Sequence, residues 1–289
     1  MMAVQNQIRS LLSTSKGVQH PSQRILWSRW VNLGLALGLQ FCLPMSCVTA
    51  ATKIKVMSLG DSLCANNITV LRQTVAATKF GSTIDWVGTK KDSKHSDRDN
   101  ECHGGWSAAQ VWQKSGANIR LPGWEKQPGS VRDWVQKTKP DVVLVMLGTN
   151  DFFGDKVRGD KTSGLLKESL PGIIDSILSI RPQAAVVVAS IPPFKWDIQK
   201  GVDQNKTKTT ANEFLKQYIS QLSAQKKRIF FVDMHTAIIN QSNQENIFSP
   251  DGVHLNNQGN KLIAEEWSCA LKTVLQGGSK PIIPANCSR

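Results

Sequence analysis

The stretch "VMSLGDSLCANN", residues 56–67, decides how the rest of the chain is read. It closes an apolar run, "KIKVMSL" (53–59), mostly without polar alternation, and then presents Gly60, Asp61 and the hydroxyl of Ser62 in succession. A strand without alternation suits a parallel sheet covered on both faces. In such sheets the chemistry gathers at the carboxyl ends of the strands. Ser62 stands at that place. Alone, a serine at a strand-to-helix junction reads as a helix N-cap, so its meaning depends on what stands at the other strand ends.

Four more runs resemble the first: "IDWVG" (84–88), "DVVLVML" (141–147), "AAVVVAS" (184–190) and "RIFFVD" (228–233). Between them amphipathic stretches predict helices over 65–79, 107–115, 129–138, 164–180, 207–225 and 257–275. The alternation of strand and helix predicts βαβ units and a three-layer α/β/α sandwich on a five-stranded parallel sheet. The Lys-, Asp- and Ser-rich segment after Gly88 reads as a long surface loop.

The 289 residues are ample for one such domain preceded by a distinct leader. In residues 22–50, Arg24 and Arg29 precede an apolar run from Val31 to Val48, and small residues follow at Thr49, Ala50 and Ala51. This is the layout of a secretory signal with Val48 and Ala50 in the cleavage positions. Kept uncleaved, a run of that length would anchor the chain in a membrane. The expected organisation is therefore 1–50 as signal peptide or anchor and 51–289 as the working domain, exported to the periplasm or beyond the cell. Cys47 suggests a lipidation site, but Pro44 and Met45 fit that processing poorly.

The first 50 residues carry Arg9, Lys16, Arg24 and Arg29 and no acid, so without them the formal charge falls from +13 to +9. The remaining basic residues, such as Lys90, Lys91, Lys137, Lys139 and Lys226 to Arg228, are scattered and not interleaved with aromatics. They read as a solvated surface and not as a nucleic-acid site, with anionic polysaccharide or lipid headgroups as partners that charge would still attract. Cys64, Cys102, Cys269 and Cys287 remain after the leader, an even number open to three pairings. Cys269 with Cys287 would tie down the C-terminal tail, and Cys64 with Cys102 would lie near Ser62. No CxxC zinc pattern occurs, so no metal is expected.

The other strand ends supply what a nucleophilic serine needs. After the third run come Gly148, Thr149, Asn150 and Asp151; before the last helix, "SPDGVHLNN" holds Asp251 and His254 three residues apart; and "ECHGGWS" (101–107) offers Gly104 and Gly105 followed by Trp106. A serine hydroxyl needs a base to take its proton and a third group to orient that base. His254 is the candidate base and Asp251 its orienting carboxylate, since an Asp-Gly step favours a turn that lets both side chains face one way. Oxyanion donors are the side-chain amide of Asn150, the backbone N–H of Gly105, unobstructed by a side chain, and the N–H of Ser62 itself. Asp151 reads as a cap of its own turn.

"GDSL", "HGGW", "GTND" and "DGVH", in that order from about 53 to 270, resemble the GDSL or SGNH family of secreted serine esterases. Its four signature residues would fall on Ser62, Gly105, Asn150 and His254, with Asp251 as the acid. The resemblance implies a flavodoxin-like α/β/α fold, hydrolysis of carboxylic esters through an acyl-enzyme, and no cofactor. Cys64 and Asn66 depart from the family's usual small hydroxyl residue and glycine, and Gly104 is an alternative oxyanion glycine.

Rival patterns are weaker. His235 with Asp233 forms a second acid and imidazole pair at the end of the fifth run. Asp97, Asp99 and Glu101 alternate like the start of a calcium loop but lack its glycine and closing acid. GxSxG, HExxH and the phosphate-binding GxxxxGK[ST] are absent, and SxxK at 223–226 lacks its companion motifs. His103 reads as packing beside the glycines. Trp106, Phe152 and Trp196 follow strand ends, where aromatic faces would suit a sugar ring or acyl chain.

The expected activity is hydrolysis of a small acyl ester, O-acetyl groups on carbohydrate before others, by a monomer. Lysophospholipase or thioesterase chemistry would use the same machinery. A polysaccharide-binding module without chemistry is the reading from another class, and the complete catalytic set argues against it.

Overall fold

The computed structural model describes residues 52–91, 97–112, 129–157, 163–200 and 203–287. The leader expected over residues 1–50 lies outside them. In chain order the elements are β1 (Ile54–Gly60), α1 (Ser62–Ala76), β2 (Ile84–Val87), β3 (Lys90–Lys91), β4 (Asp99–Cys102), α2 (Ala108–Trp112), α3 (Val131–Thr138), β5 (Val142–Met146), α4 (Thr149–Val157), α5 (Leu166–Ile180), β6 (Ala185–Ala189), α6 (Lys195–Lys200), α7 (Asp203–Ala224), β7 (Ile229–Val232), α8 (Met234–Ile239), α9 (Asn257–Leu275) and β8 (Ile282–Ile283).

The five predicted strands lie side by side in the order β2-β1-β5-β6-β7, all parallel. This is the doubly wound arrangement in which the sheet switches direction at β1. Successive strand residues point to opposite faces, and both faces are dry. On one side Val56, Leu144, Val187 and Val232 pack with Leu63, Ile68 and Leu71 of α1, Met234 of α8 and Ile263 and Trp267 of α9. On the other, Met57, Val143, Val145, Val188 and Phe231 pack with Val111 of α2, Trp134 of α3, Ile173 and Ile177 of α5 and Leu215 of α7. Burial on both sides is why these strands carry no polar alternation.

The sheet has eight strands, not the five expected. The first half of β1 pairs with β2 and its second half with β4, in the register Leu59 to Glu101 and Gly60 to Cys102. β4 reads "DNEC" and gives no hydrophobic signal, because hydrogen bonds satisfy its buried Asn100 and Glu101 instead of exposure. Its outer edge pairs antiparallel with β3, and β8 adds to β7 at the opposite edge. Part of the segment predicted as a loop after Gly88 therefore belongs to the sheet. Its acids act locally: Asp97 Oδ2 accepts from Trp86 N–H at 2.9 Å, Asp99 pairs with Lys91, and Glu101 Oε2 accepts from Thr89 N–H at 2.7 Å. No group of three or more His, Cys, Asp or Glu that could hold a metal occurs among the described residues. Nor is any described helix long and apolar enough to cross a membrane. Disulfides join Cys64 to Cys102 and Cys269 to Cys287.

Candidate active site

β1 ends at Gly60, and the next residue caps the helix that follows. Asp61 Oδ1 accepts from Leu63 N–H at 2.9 Å, taking the role that an N-cap serine would fill. Ser62 becomes the first residue of α1 and its hydroxyl is left for other work. It donates to His254 Nε2 at 2.8 Å, and His254 Nδ1–H donates to Asp251 Oδ2 at 2.6 Å. Residues 192 positions apart thus meet in one hydrogen-bonded line.

A short hairpin holds the acid and the imidazole together. Phe248 bridges Leu255, Ser249 N–H donates to His254 O at 2.8 Å, and Gly252 N–H donates to Ser249 O at 3.0 Å. Asp251 Oδ1 accepts from the N–H groups of Val253 and His254, both at 2.9 Å, so one carboxylate oxygen folds the turn and the other orients the ring. Burial works to raise the Asp251 pKa, but the ring hydrogen bond, these two N–H donors and the His254 charge together hold it below the usual carboxylate range. The hairpin is open to solvent, with the Asp251 side chain half exposed and that of His254 about a third. It leans on α6: Lys195 N–H donates to Gly252 O at 2.8 Å and the Trp196 ring lies against Gly252.

The oxyanion candidates come from two other segments. His103 to Trp106 form a turn closed by Trp106 N–H on His103 O at 3.2 Å, and Gly105 has φ of +82°, which a side chain would resist. The turn lies beside the nucleophile, since a Cβ on Gly104 would sit 3.9 Å from Ser62 Cβ. His103 N–H donates to Gly60 O at 2.7 Å. Asn150, in the first turn of α4, donates from Nδ2 to Trp106 O at 3.1 Å. An amide carries two such hydrogens, so the second is available for substrate. The N–H of Ser62 belongs to the first turn of α1, where no intrahelical acceptor exists.

Other expected roles are redistributed. Asp151, in the first turn of α4, also reaches beyond that turn: its Oδ2 accepts from Ala108 N–H at 3.0 Å and so ties α4 to the start of α2. The rival pair is split: Asp233 caps α8 through Thr236, while His235 Nδ1 donates to Ile191 O at 3.0 Å. Among the three aromatics expected at the substrate, Trp106 and Phe152 are buried in the core, and only Trp196 is half exposed. Trp106 packs instead on His103, with ring centroids 4.5 Å apart.

Two buried features go beyond the sequence patterns. Asp61 is fully enclosed; desolvation, only partly offset by its Leu63 hydrogen bond and by His254, pushes its pKa up to about 7. Its position directly before a helix is the signal for a cap. Asp197 and Lys208 form a fully buried ion pair, and Asp197 Oδ2 also accepts from Phe194 N–H at 2.9 Å, bracing the segment that carries Trp196. Nothing in the spacing of those two residues announces their meeting.

Residues 56–267, which span every element of this site, match the GDSL-like lipase/acylhydrolase family. The chain belongs to that family. Membership places the domain among the carboxylic ester hydrolases. Curated relatives of this GDSL-like domain include a multidomain esterase from Ruminococcus flavefaciens, 24% identical over 251 residues, or 81% of this chain and 30% of that protein. Another is an acetylxylan esterase from Xylanibacter ruminicola, 27% identical over 152 residues, or 46% of this chain and 29% of that protein. The chain thus spans less than a third of the length of either. Among solved structures, a carbohydrate esterase family 3 protein from Talaromyces cellulolyticus shares the fold, with a TM-score of 0.58 at 24% identity over 77% of this chain and 98% of that one.

Proposed function

We propose that this domain is a serine esterase that removes short acyl groups, foremost O-acetyl groups on carbohydrate, through an acyl-enzyme. The single observation that carries the reading is the continuous line from Ser62 Oγ through His254 to Asp251. Ser62 Oγ attacks the acyl carbon as His254 Nε2 takes its proton, and the carbonyl oxygen becomes an oxyanion facing the N–H groups of Ser62 and Gly105 and the free Nδ2 hydrogen of Asn150. Collapse breaks the bond to the alcohol, which leaves with the proton from His254. Water then repeats the sequence on the acyl-Ser62 ester and releases the acid. Each donor of this kind contributes roughly 3 to 4 kcal/mol to lowering the barrier, and no cofactor is needed.

The substrate class is supported by the relatives named for esterase and acetylxylan esterase activity and by the partly exposed Trp196 beside the hairpin of Asp251 and His254. Export fits the leader-like residues 1–50 and the two disulfides, which persist in oxidising compartments. The test is an acyl-chain series from C2 to C12 run beside acetylated xylan. The C2 ester should be hydrolysed fastest and acetate should be released from the xylan, with Ser62→Ala lowering every rate by at least about 10⁴-fold. A rate that climbs towards C8 or beyond, with no acetate from xylan, would replace this substrate by a lysophospholipid or long-chain ester.

A further inference from the structure

We propose that the buried pair Glu101 and His103 is a positioning device for the oxyanion donors, setting the turn that carries Gly105 and, through it, the amide of Asn150. The inference rests on the esterase reading above.

Neither side chain touches solvent to any extent: Glu101 is 0% exposed and His103 2%. The carboxylate is fully engaged. Oε1 accepts from His103 Nε2–H at 2.8 Å and from the Thr89 hydroxyl at 3.0 Å, and Oε2 accepts from Thr89 N–H. The imidazole is packed against two indoles as well, stacked on Trp134 with ring centroids 4.3 Å apart and tilted against Trp106 at 4.5 Å. A buried pair of this sort is weak evidence for stability, because well-packed apolar residues of similar volume often hold a core equally well. What it offers is a direction: a hydrogen bond to Nε2 sets the ring orientation, and stacking alone does not.

That orientation matters because of what His103 begins. Its N–H reaches Gly60 O, two residues before the nucleophile, and its carbonyl closes the turn on Trp106 N–H. The last residue of the turn then accepts Asn150 Nδ2 through Trp106 O. Glu101 itself is placed by the sheet, paired with Leu59 of β1, and the next residue, Cys102, pairs with Gly60 and is bonded to Cys64 of α1. The carboxylate is therefore registered to the strand that ends at Ser62, and it passes that register to both oxyanion donors. A small displacement of such donors weakens the transition state more than the bound substrate, so the effect belongs in kcat and not in KM.

Two substitutions separate the polar link from the packing. His103→Phe keeps a stacked ring and loses the bond to Glu101; His103→Gln loses the ring and keeps a donor within reach of it. With an acetyl ester as substrate, His103→Phe should lose about tenfold to a hundredfold in kcat with KM within twofold of wild type, while His103→Gln recovers most of the rate. A folded His103→Phe with more than half the wild-type kcat, or a His103→Gln as slow as the Phe variant, overturns the proposal. Should His103→Phe not fold, the apolar double variant Glu101→Leu/His103→Phe takes its place: at least a tenfold loss of kcat supports the role, and a wild-type kcat removes it. Wild-type protein with no esterase activity would defeat the esterase reading itself, whereas active wild type beside an equally fast variant defeats only the role of the pair.

Discussion

Ser62 and Asp61 divide one junction between them: the aspartate closes the helix end and the serine is freed to face His254. The aspartate does so at a cost, since it is enclosed and its pKa stands near 7 against 3.8 for the free side chain. A carboxyl whose pKa is raised on folding binds more protons in the native than in the unfolded state between those two values, so its contribution to stability is complete below pH 3.8 and fades as pH rises through 7. Asp61→Asn keeps the acceptor for Leu63 N–H and removes the charge. Unfolding followed in denaturant from pH 5 to 8 should show the variant gaining on wild type by roughly 3 kcal/mol across that span; parallel pH profiles would show that Asp61 is not the buried titrating group. The identities of Ser62, His254, Asp251 and Asn150 were legible because polar residues at the ends of apolar runs stand out. Asp61 and Glu101 were not, because each is defined by what surrounds it in space.

At the scale of elements, the hairpin of Asp251 and His254 shows how little secondary structure is needed to hold two catalytic candidates. Its turn needs a left-handed residue at position 252, where φ is +69°, and a Cβ there would lie 3.0 Å from the Trp196 ring. Gly252→Ala should cost the backbone about 1 to 2 kcal/mol and push the hairpin off Trp196, lowering kcat/KM at least about tenfold. Gly277→Ala is its control: φ is +77° but nothing lies within 4 Å of its Cβ, so it should show similar strain in thermal unfolding with wild-type activity. Equal activity in both variants would mean that α6 does not position Asp251. The elements missed in the sequence have separate causes. β4 has a polar sequence made compatible with burial by hydrogen bonds, β8 has two residues, and α4, α6 and α8 are short helices whose apolar periodicity is too brief to register. Trp106 and Phe152 were placed at the correct strand ends, yet their side chains turn into the core, a choice that packing makes and sequence position does not.

For the whole molecule, the long apolar runs gave away the order of layers because a parallel sheet buried on both faces leaves no polar alternation to confuse the pattern. The two disulfides act at opposite ends of that sheet. Cys64 to Cys102 lies beside the nucleophile, while Cys269 to Cys287 fastens the tail that carries β8 to α9, near Ile54 where β1 begins. The second closes a separation of 18 residues, worth about 3 kcal/mol in chain entropy. Replacing both Cys269 and Cys287 by serine should remove about that much stability in a denaturant titration and leave kcat at 25 °C within twofold of wild type. A collapse of kcat in the folded variant would mean that the distant edge of the sheet reaches the site. Everything in the proposed chemistry depends on Ser62 being a nucleophile activated by His254. Incubation with an organophosphonate followed by peptide mass spectrometry is the sharpest test: one adduct should form, on Ser62, in step with loss of esterase activity, absent from Ser62→Ala and strongly slowed in His254→Ala, whereas a folded wild type that stays unlabelled, or takes the label at another residue, rules this activation out.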